Sequence, residues 1–310
     1  MRRFADTAGE RNWVVVIMPP NTKGTPHDSR HFDMSPLLVI ISIALAALAA
    51  VLFRRRARAQ RLRQFADKSL EPELLNLLRQ HMPLYERMPS ELQQRLQGLV
   101  NVFLNDKSFF GSGGLEITDE MRLAVAGNAC LLLLNRDGPC FPGSGTILLY
   151  PDTIVTQAVT YDGPIVSESL SARLGESWHR GPVILSWADV LRGVNNPEDG
   201  HNVVIHEFAH KLDEENVSMD GLPVLHEHVD YPDWARVMSE EFADLIKRVQ
   251  RNRNTVLDGY GSTSPAEFFA VTSEVFFEKG KRMKDRLPML YAQLEQYYGV
   301  DPAGWEKRRN

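Results

Sequence analysis

Residues 202–213 read Asn-Val-Val-Ile-His-Glu-Phe-Ala-His-Lys-Leu-Asp, with His206 and His210 four apart and Glu207 between them. Four residues is a little over one helical turn, so on a helix both imidazoles project from one face and converge. A pair so placed can reach a single Zn²⁺, with the Glu207 carboxylate beside the water that the ion activates. The flanks argue against a chance match on a surface helix. Val203, Val204 and Ile205 lead in, and Phe208, Ala209 and Leu212 supply apolar positions around the turn. A helix apolar on most sides is buried, and burying two histidines and a glutamate without partners is unfavourable. Metal ligation removes that penalty. The stretch implies metal-assisted hydrolysis of a peptide bond.

The 310 residues allow one large or two modest domains, and 43% hydrophobic composition is ordinary for a globular protein. A net charge of -5 and a pI near 6.0 give no sign of a nucleic-acid-binding surface. Only Cys130 and Cys140 are present, which is no secreted disulfide scaffold, although a single bridge between them is compatible with the spacing. Cys130 lies in the apolar run Ala129–Leu134, which suits a buried free thiol in a reducing compartment.

Leu37 to Phe53 carries no charge and one polar residue, Ser42, and is followed by Arg54, Arg55, Arg56, Arg58, Arg61 and Arg63. At 1.5 Å per residue this is about 25 Å, the short end of a membrane-spanning helix. A core helix seldom abuts three consecutive arginines. A cleaved signal peptide is the other reading, through Ala47-Leu48-Ala49, but the positive charge follows the apolar stretch instead of preceding it. The expectation is therefore a signal anchor at 35–54, with a basic juxtamembrane linker at 55–70 and a disordered tail at 1–34. The arginines on the C-terminal flank outweigh Lys23 and Arg30, which orients residues 71–310 toward the cytoplasm of a bacterial inner membrane. A soluble cytoplasmic protein is the alternative, and either Met1 or Met34 can serve as the start.

From Glu71 onward helical periodicity dominates. Ser90-Glu91-Leu92-Gln93 has a capping-box pattern opening a helix with Leu92, Leu96, Leu99, Val102 and Phe103 on one side. Gly111-Ser112-Gly113-Gly114 breaks the chain, and Asp119 to Leu134 reads as a buried helix. Thr146–Tyr150 and Val183–Trp187 read as strands, and Ala188–Leu191 as helical. A polar loop at 193–200 leads into the histidine helix. Helices at 233–250, 265–279 and 286–298 complete the pattern. The order specifies an α+β domain, mostly helical with a small sheet, preceded by one transmembrane helix.

A catalytic zinc takes a third protein ligand and keeps one open position. His201 sits in the loop before the helix, and His226 and His228, two apart, cannot easily share one ion if extended. Glu240 and Glu241 belong to a charged helix face. Glu267 and Glu274 are the stronger candidates. Glu267 fits a cap formed by Ser264 and Pro265, yet it is embedded among Phe268, Phe269, Phe276 and Phe277. Glu274, seven residues on, shares its face and is either the ligand or a partner to a ligand histidine. Spacing alone leaves the two equal.

Taken together, His206–Asp213, Ser186-Trp187, Val190–Gly193 and Ser264-Pro265-Ala266-Glu267-Phe268-Phe269-Ala270 resemble the MtfA (Mlc titration factor A) family of bacterial metallopeptidases. The likeness runs from about Pro89 to Tyr298 and includes Ile117–Met121 and Tyr150-Pro151-Asp152. The N-terminal apolar stretch departs from soluble members. The segment Tyr260-Gly261 with Ala266–Ala270 is also similar to the catalytic segment of anthrax lethal factor, a gluzincin. That resemblance implies a zincin-like fold, His206, His210 and Glu267 as zinc ligands, Glu207 as general base and Tyr260 as transition-state donor. Glu274 is then the partner of a ligand histidine. The implied substrate is a peptide or protein. The family's association with sequestering the repressor Mlc implies, as a competing class, a protein-binding module in which catalysis is secondary. An exported thermolysin-like peptidase is the third reading.

Overall fold

Residues 37–71 contain neither glycine nor proline, and the Ala, Arg, Gln and Leu that follow the apolar run are strong helix formers. In the computed structural model, which describes residues 34–136, 138–152, 181–216, 218–225 and 231–305, these residues form one helix, α1, Met34–Ala66. The linker expected at 55–70 is therefore helical as far as Ala66. The tail expected at 1–34 lies outside the described residues, except for Met34, which opens α1. From Leu38 to Phe53 the side chains of α1 are exposed, and Ser42 Oγ donates to the Leu38 carbonyl at 2.8 Å. The anchor expected at 35–54 is not met as a span: among the described residues no helix is long and apolar enough to cross a membrane. Leu38–Phe53 reaches about 24 Å against a hydrocarbon core of roughly 30 Å.

The chain divides into two compact units, Met1–Leu52 and Phe53–Asn310, and the elements below belong to the second. α2 (Pro72–His81), α3 (Ser90–Asp106) and α4 (Asp119–Leu131) pack together. α4 is buried from Leu123 to Leu131. Gly127 leaves room for Leu78 of α2, since a Cβ there would stand 2.6 Å from Leu78 Cδ1 and force that side chain to move. Thr118 starts α4 by accepting a hydrogen bond from the Met121 amide. The capping box expected at Ser90 does not form. Gln93 Nε2 donates instead to the Tyr85 and Met88 carbonyls, fastening α3 to the preceding turn.

Three parallel strands, β1 (Ser108–Gly111), β2 (Thr146–Tyr150) and β3 (Val183–Ser186), lie in that order. Phe109 faces Ile147, and Leu149 faces Leu185. Parallel neighbours need a crossover, and α4 lies in the one between β1 and β2. Strand β1 escaped the sequence reading because its four residues give too short a run beside the glycines. Both cysteines are free and buried.

Ser186 accepts a hydrogen bond from the Asp189 amide and opens α5 (Trp187–Asn195). α6 (Val203–Asp213), α7 (Tyr231–Gln250) and α8 (Pro265–Glu278) follow. The helix expected at 286–298 is α10 (Pro288–Tyr298), opened by Pro288 in its first turn, and a short helix that the sequence reading did not anticipate, α9 (Gly280–Arg286), precedes it. α6 packs on α8 and α4. Its Phe208 ring sits 4.6 Å from Phe141 and 5.6 Å from Phe103, centroid to centroid. The result is mostly helical with a small sheet, as expected for the domain.

Asp213 closes α6 from a fully buried position, its Oδ2 accepting the Gly221 amide at 2.8 Å. Gly221 has φ 75° and lies against the Pro265 carbonyl, where a Cβ would approach to 2.3 Å. Burial pushes the Asp213 carboxyl up to about 6 against the pull of the Gly221 hydrogen bond. Between about pH 4 and pH 6 the folded chain thus binds more protons at Asp213 than the unfolded chain does. This contribution to stability is greatest below pH 4 and declines as pH rises through 6. Thermal melts of the wild type and Asp213→Asn across pH 4–8 should differ by that decline, which the variant lacks; parallel pH profiles would refute the assignment.

Candidate metal centre

The histidine helix starts where Asn202 caps it, its Oδ1 accepting the Val204 and Ile205 amides at 3.2 Å each. With Phe208 directed into the core, the helix presents His206 and His210 together. Their Nε2 atoms are 3.2 Å apart and their rings nearly perpendicular, at 82°. α8 delivers the third group. Ser264 Oγ accepts the Glu267 amide, and Pro265 occupies the first helical turn, as the sequence suggests. The Glu267 carboxylate does not turn back to complete a capping box. Its Oε2 lies 3.0 Å from His206 Nε2 and 3.5 Å from His210 Nε2.

These three groups form the candidate metal cluster among the described residues, with all donor atoms within 4.8 Å of one another. The fit can be tested by geometry. Tetrahedral coordination at the usual Zn–N and Zn–O lengths puts ligand atoms about 3.3 Å from each other. The separations of 3.0, 3.2 and 3.5 Å bracket that value. Glu267 Oε2 is also buried without a well-aligned hydrogen bond, despite its short contacts to both rings. Two imidazole nitrogens and a carboxylate oxygen converging this way suit zinc.

Glu274 takes the other role left open by the spacing. Its Oε1 is 2.8 Å from His206 Nδ1, and its Oε2 accepts the Asn202 amide. A carboxylate can only accept, so in the neutral, ligating form of His206 the ring hydrogen is held at Nδ1 and Nε2 faces Glu267. Burial opposes protonation of His206, but hydrogen bonds to Glu267 and Glu274, with the Glu207 charge adding, carry its pKa up to about 10. Burial likewise opposes ionisation of Glu267, and the two histidines outweigh it, lowering the carboxyl to about 2. The two shifts are two sides of one pairing, in which the imidazoles and the carboxylates compensate each other's charge.

Glu207 is half-buried, one residue along α6 from His206. Tyr260 lies in the short 3-10 turn Gly259–Ser262, where Asp258 Oδ1 accepts its amide at 2.7 Å. Its ring centroid is 6.1 Å from that of His206, and the residue is 37% exposed. The structure thus brings Tyr260 and Glu267 to the histidine pair. The rejected candidates stand elsewhere. His201 is exposed, 3.7 Å from Asp258, and Glu240 pairs with Arg236 on an exposed face. His226 and His228 lie outside the described residues. The sequence reading missed the buried Asn202 and Glu278, whose importance depends on side-chain contacts over 70 residues apart.

The two glutamates should separate by metal affinity. Glu267→Ala removes a donor and should abolish stoichiometric zinc binding. Glu274→Gln leaves the donors but places an amide donor against Asn202 or His206, so it should weaken zinc by about 10–100-fold. Chelator competition on the purified variants checks both; equal losses would contradict the division of roles.

Residues 54–299 match the family model described as glucose-regulated metallo-peptidase M90. An uncharacterised protein of Synechocystis sp. is 36% identical over 271 residues, covering 87% of this chain and 98% of the relative. The Mlc titration factor A of Serratia proteamaculans is 32% identical over 232 residues, or 71% of this chain and 85% of that protein. That of Escherichia fergusonii is 30% identical over 225 residues, with 71% and 84% covered. The match over most of the folded unit places the chain in the M90, or MtfA, metallopeptidase family.

Proposed function

We propose that the chain is a zinc-dependent peptidase of the gluzincin type. The observation that carries this reading is the triangle of His206 Nε2, His210 Nε2 and Glu267 Oε2, with separations matching a tetrahedral zinc site. His206, His210 and Glu267 hold the ion, and Glu274 fixes the orientation of His206. Zinc, when bound, supplies Lewis acidity, bringing the pKa of water from about 16 toward 7. Glu207 takes the proton of the attacking water and returns it to the departing amine. The Tyr260 hydroxyl donates to the oxygen that becomes negative as the peptide carbonyl is attacked. The apolar packing behind the histidines keeps bulk water from that side.

Zinc content and peptide hydrolysis, measured together, test this reading. Glu207→Gln should retain zinc and lose about 10²–10⁴-fold in kcat. Tyr260→Phe should retain zinc and lose up to about 10²–10³-fold. Wild-type activity unaffected by stripping the metal would exclude the mechanism.

The name Mlc titration factor A borne by the relatives favours a second reading, in which this chain binds a transcriptional repressor and catalysis is secondary. Capture of Mlc by Glu207→Gln as strongly as by wild type would favour binding; loss of capture with activity would favour proteolysis. For location, we propose attachment to the cytoplasmic face of a bacterial inner membrane through residues 35–54. Two features support it: the apolar side chains exposed from Leu38 to Phe53, and the internal hydrogen bond of Ser42. Recovery of the full chain entirely in the soluble fraction would contradict this location and favour a soluble cytoplasmic protein.

A further inference from the structure

Asn202 is 4% exposed, and each of its polar groups has a partner. Its amide donates to Glu274 Oε2, and its carbonyl accepts the His206 amide at 2.9 Å. Its Oδ1 caps α6 through the Val204 and Ile205 amides. Its Nδ2 donates to Asn128 Oδ1 at 3.1 Å and to Glu278 Oε1 at 3.0 Å. Glu278, one helical turn beyond Glu274 on α8, accepts the Gly200 amide at 3.1 Å through its other oxygen. One residue thus joins the start of the histidine helix, the carboxylate that orients His206, the buried helix α4 and the far end of α8. Gly193 packs closely against this segment: a Cβ there would lie 3.2 Å from the His201 carbonyl oxygen and 3.4 Å from Asn202 Cα.

An ordinary helix cap uses only Oδ1. Here Nδ2 is committed to a second acid, Glu278, which touches none of the three metal-ligand atoms. The cap therefore has two separable functions: starting α6, and setting α6 against α8 so that His206 and Glu267 meet at the right distance. We propose that Asn202 and Glu278 are positioning residues of the metal centre, holding α6 and α8 in the register that brings His206, Glu274 and Glu267 together. This inference rests on the reading of that centre as a zinc site.

Exchanging the two functional groups isolates the link. Asn202→Asp keeps the N-cap acceptor but sets a carboxylate against Glu278 Oε1. Glu278→Gln keeps an acceptor for either Gly200 or Asn202, and places an amide donor against the other. In the double variant N202D/E278Q, the side-chain amide introduced at position 278 can donate to the carboxylate introduced at position 202, while its oxygen accepts the Gly200 amide. Formal charge and shape are preserved and the bond between positions 202 and 278 is reversed in direction; the donation to Asn128 Oδ1 is the one contact the exchange does not restore.

The experiment measures zinc affinity of the full chain by chelator competition, with thermal melts of the metal-free proteins alongside. Each single variant should bind zinc about 10–100-fold more weakly, and the double variant should return to within about threefold of wild type. Metal-free Asn202→Asp keeps the cap of α6 but buries a carboxylate against Glu278 and Asn128 Oδ1, so it should melt below wild type. The double variant should regain part of that loss, and zinc affinity is read well below each melt. Wild-type affinity in both single variants, or no recovery in the double variant, overturns the proposal. If Asn202→Asp does not fold, the comparison of Glu278→Gln with the double variant decides by the same criterion. Failure of the wild type itself to bind zinc overturns the metal reading instead, and the proposal with it.

Discussion

Where α6 packs on α8, ionisable groups meet inside a wall of aromatic rings. His206 and His210 come from one helix, and Glu267 and Glu274 from the other, with Phe208, Phe268 and Phe269 buried beside them. Groups of this kind are retained in such surroundings only when they compensate one another or an ion. The compensation is ordered in layers. Nε2 atoms and one carboxylate oxygen converge on a common point, while Glu274 and Asn202 satisfy what remains behind them. Much of the second unit serves this contact: α4 backs α6, Asp213 and Gly221 tie the end of α6 to the start of α8, and Glu278 joins the other end.

The histidine pair was legible because its signal is local. Four residues of spacing and a helical pattern of apolar neighbours suffice to place two rings on one face. The same holds for the cap at Ser264, which places Glu267 in the first turn of α8. The choice between Glu267 and Glu274 was not legible from spacing. Both lie on one face of α8, and what separates them is where along α8 the histidine helix packs. Similarity to known metallopeptidases pointed to Glu267, and the distances of 3.0 Å to His206 Nε2 for Glu267 and 2.8 Å to Nδ1 for Glu274 agree with that division.

Other features were lost for physical reasons that differ. β1 is four residues long, and its pairing with β2 decides that it is a strand. Gln93 matches a capping box, but its side-chain amide donates to the carbonyls of Tyr85 and Met88 instead. The arginines after Phe53 read as a juxtamembrane linker, yet they have good helix propensity and α1 continues through them to Ala66. Asn202 went unread in the sequence, because its links to Asn128, Glu274 and Glu278 close over more than 70 residues.

The most direct test of the central claim is zinc X-ray absorption on the purified, zinc-loaded chain. Two imidazole nitrogens and oxygen ligands in a four-coordinate shell at about 2.0–2.2 Å are expected, with one imidazole contribution lost in His210→Ala. A shell of oxygen alone, or one unchanged by that substitution, would show that the metal is not held between α6 and α8.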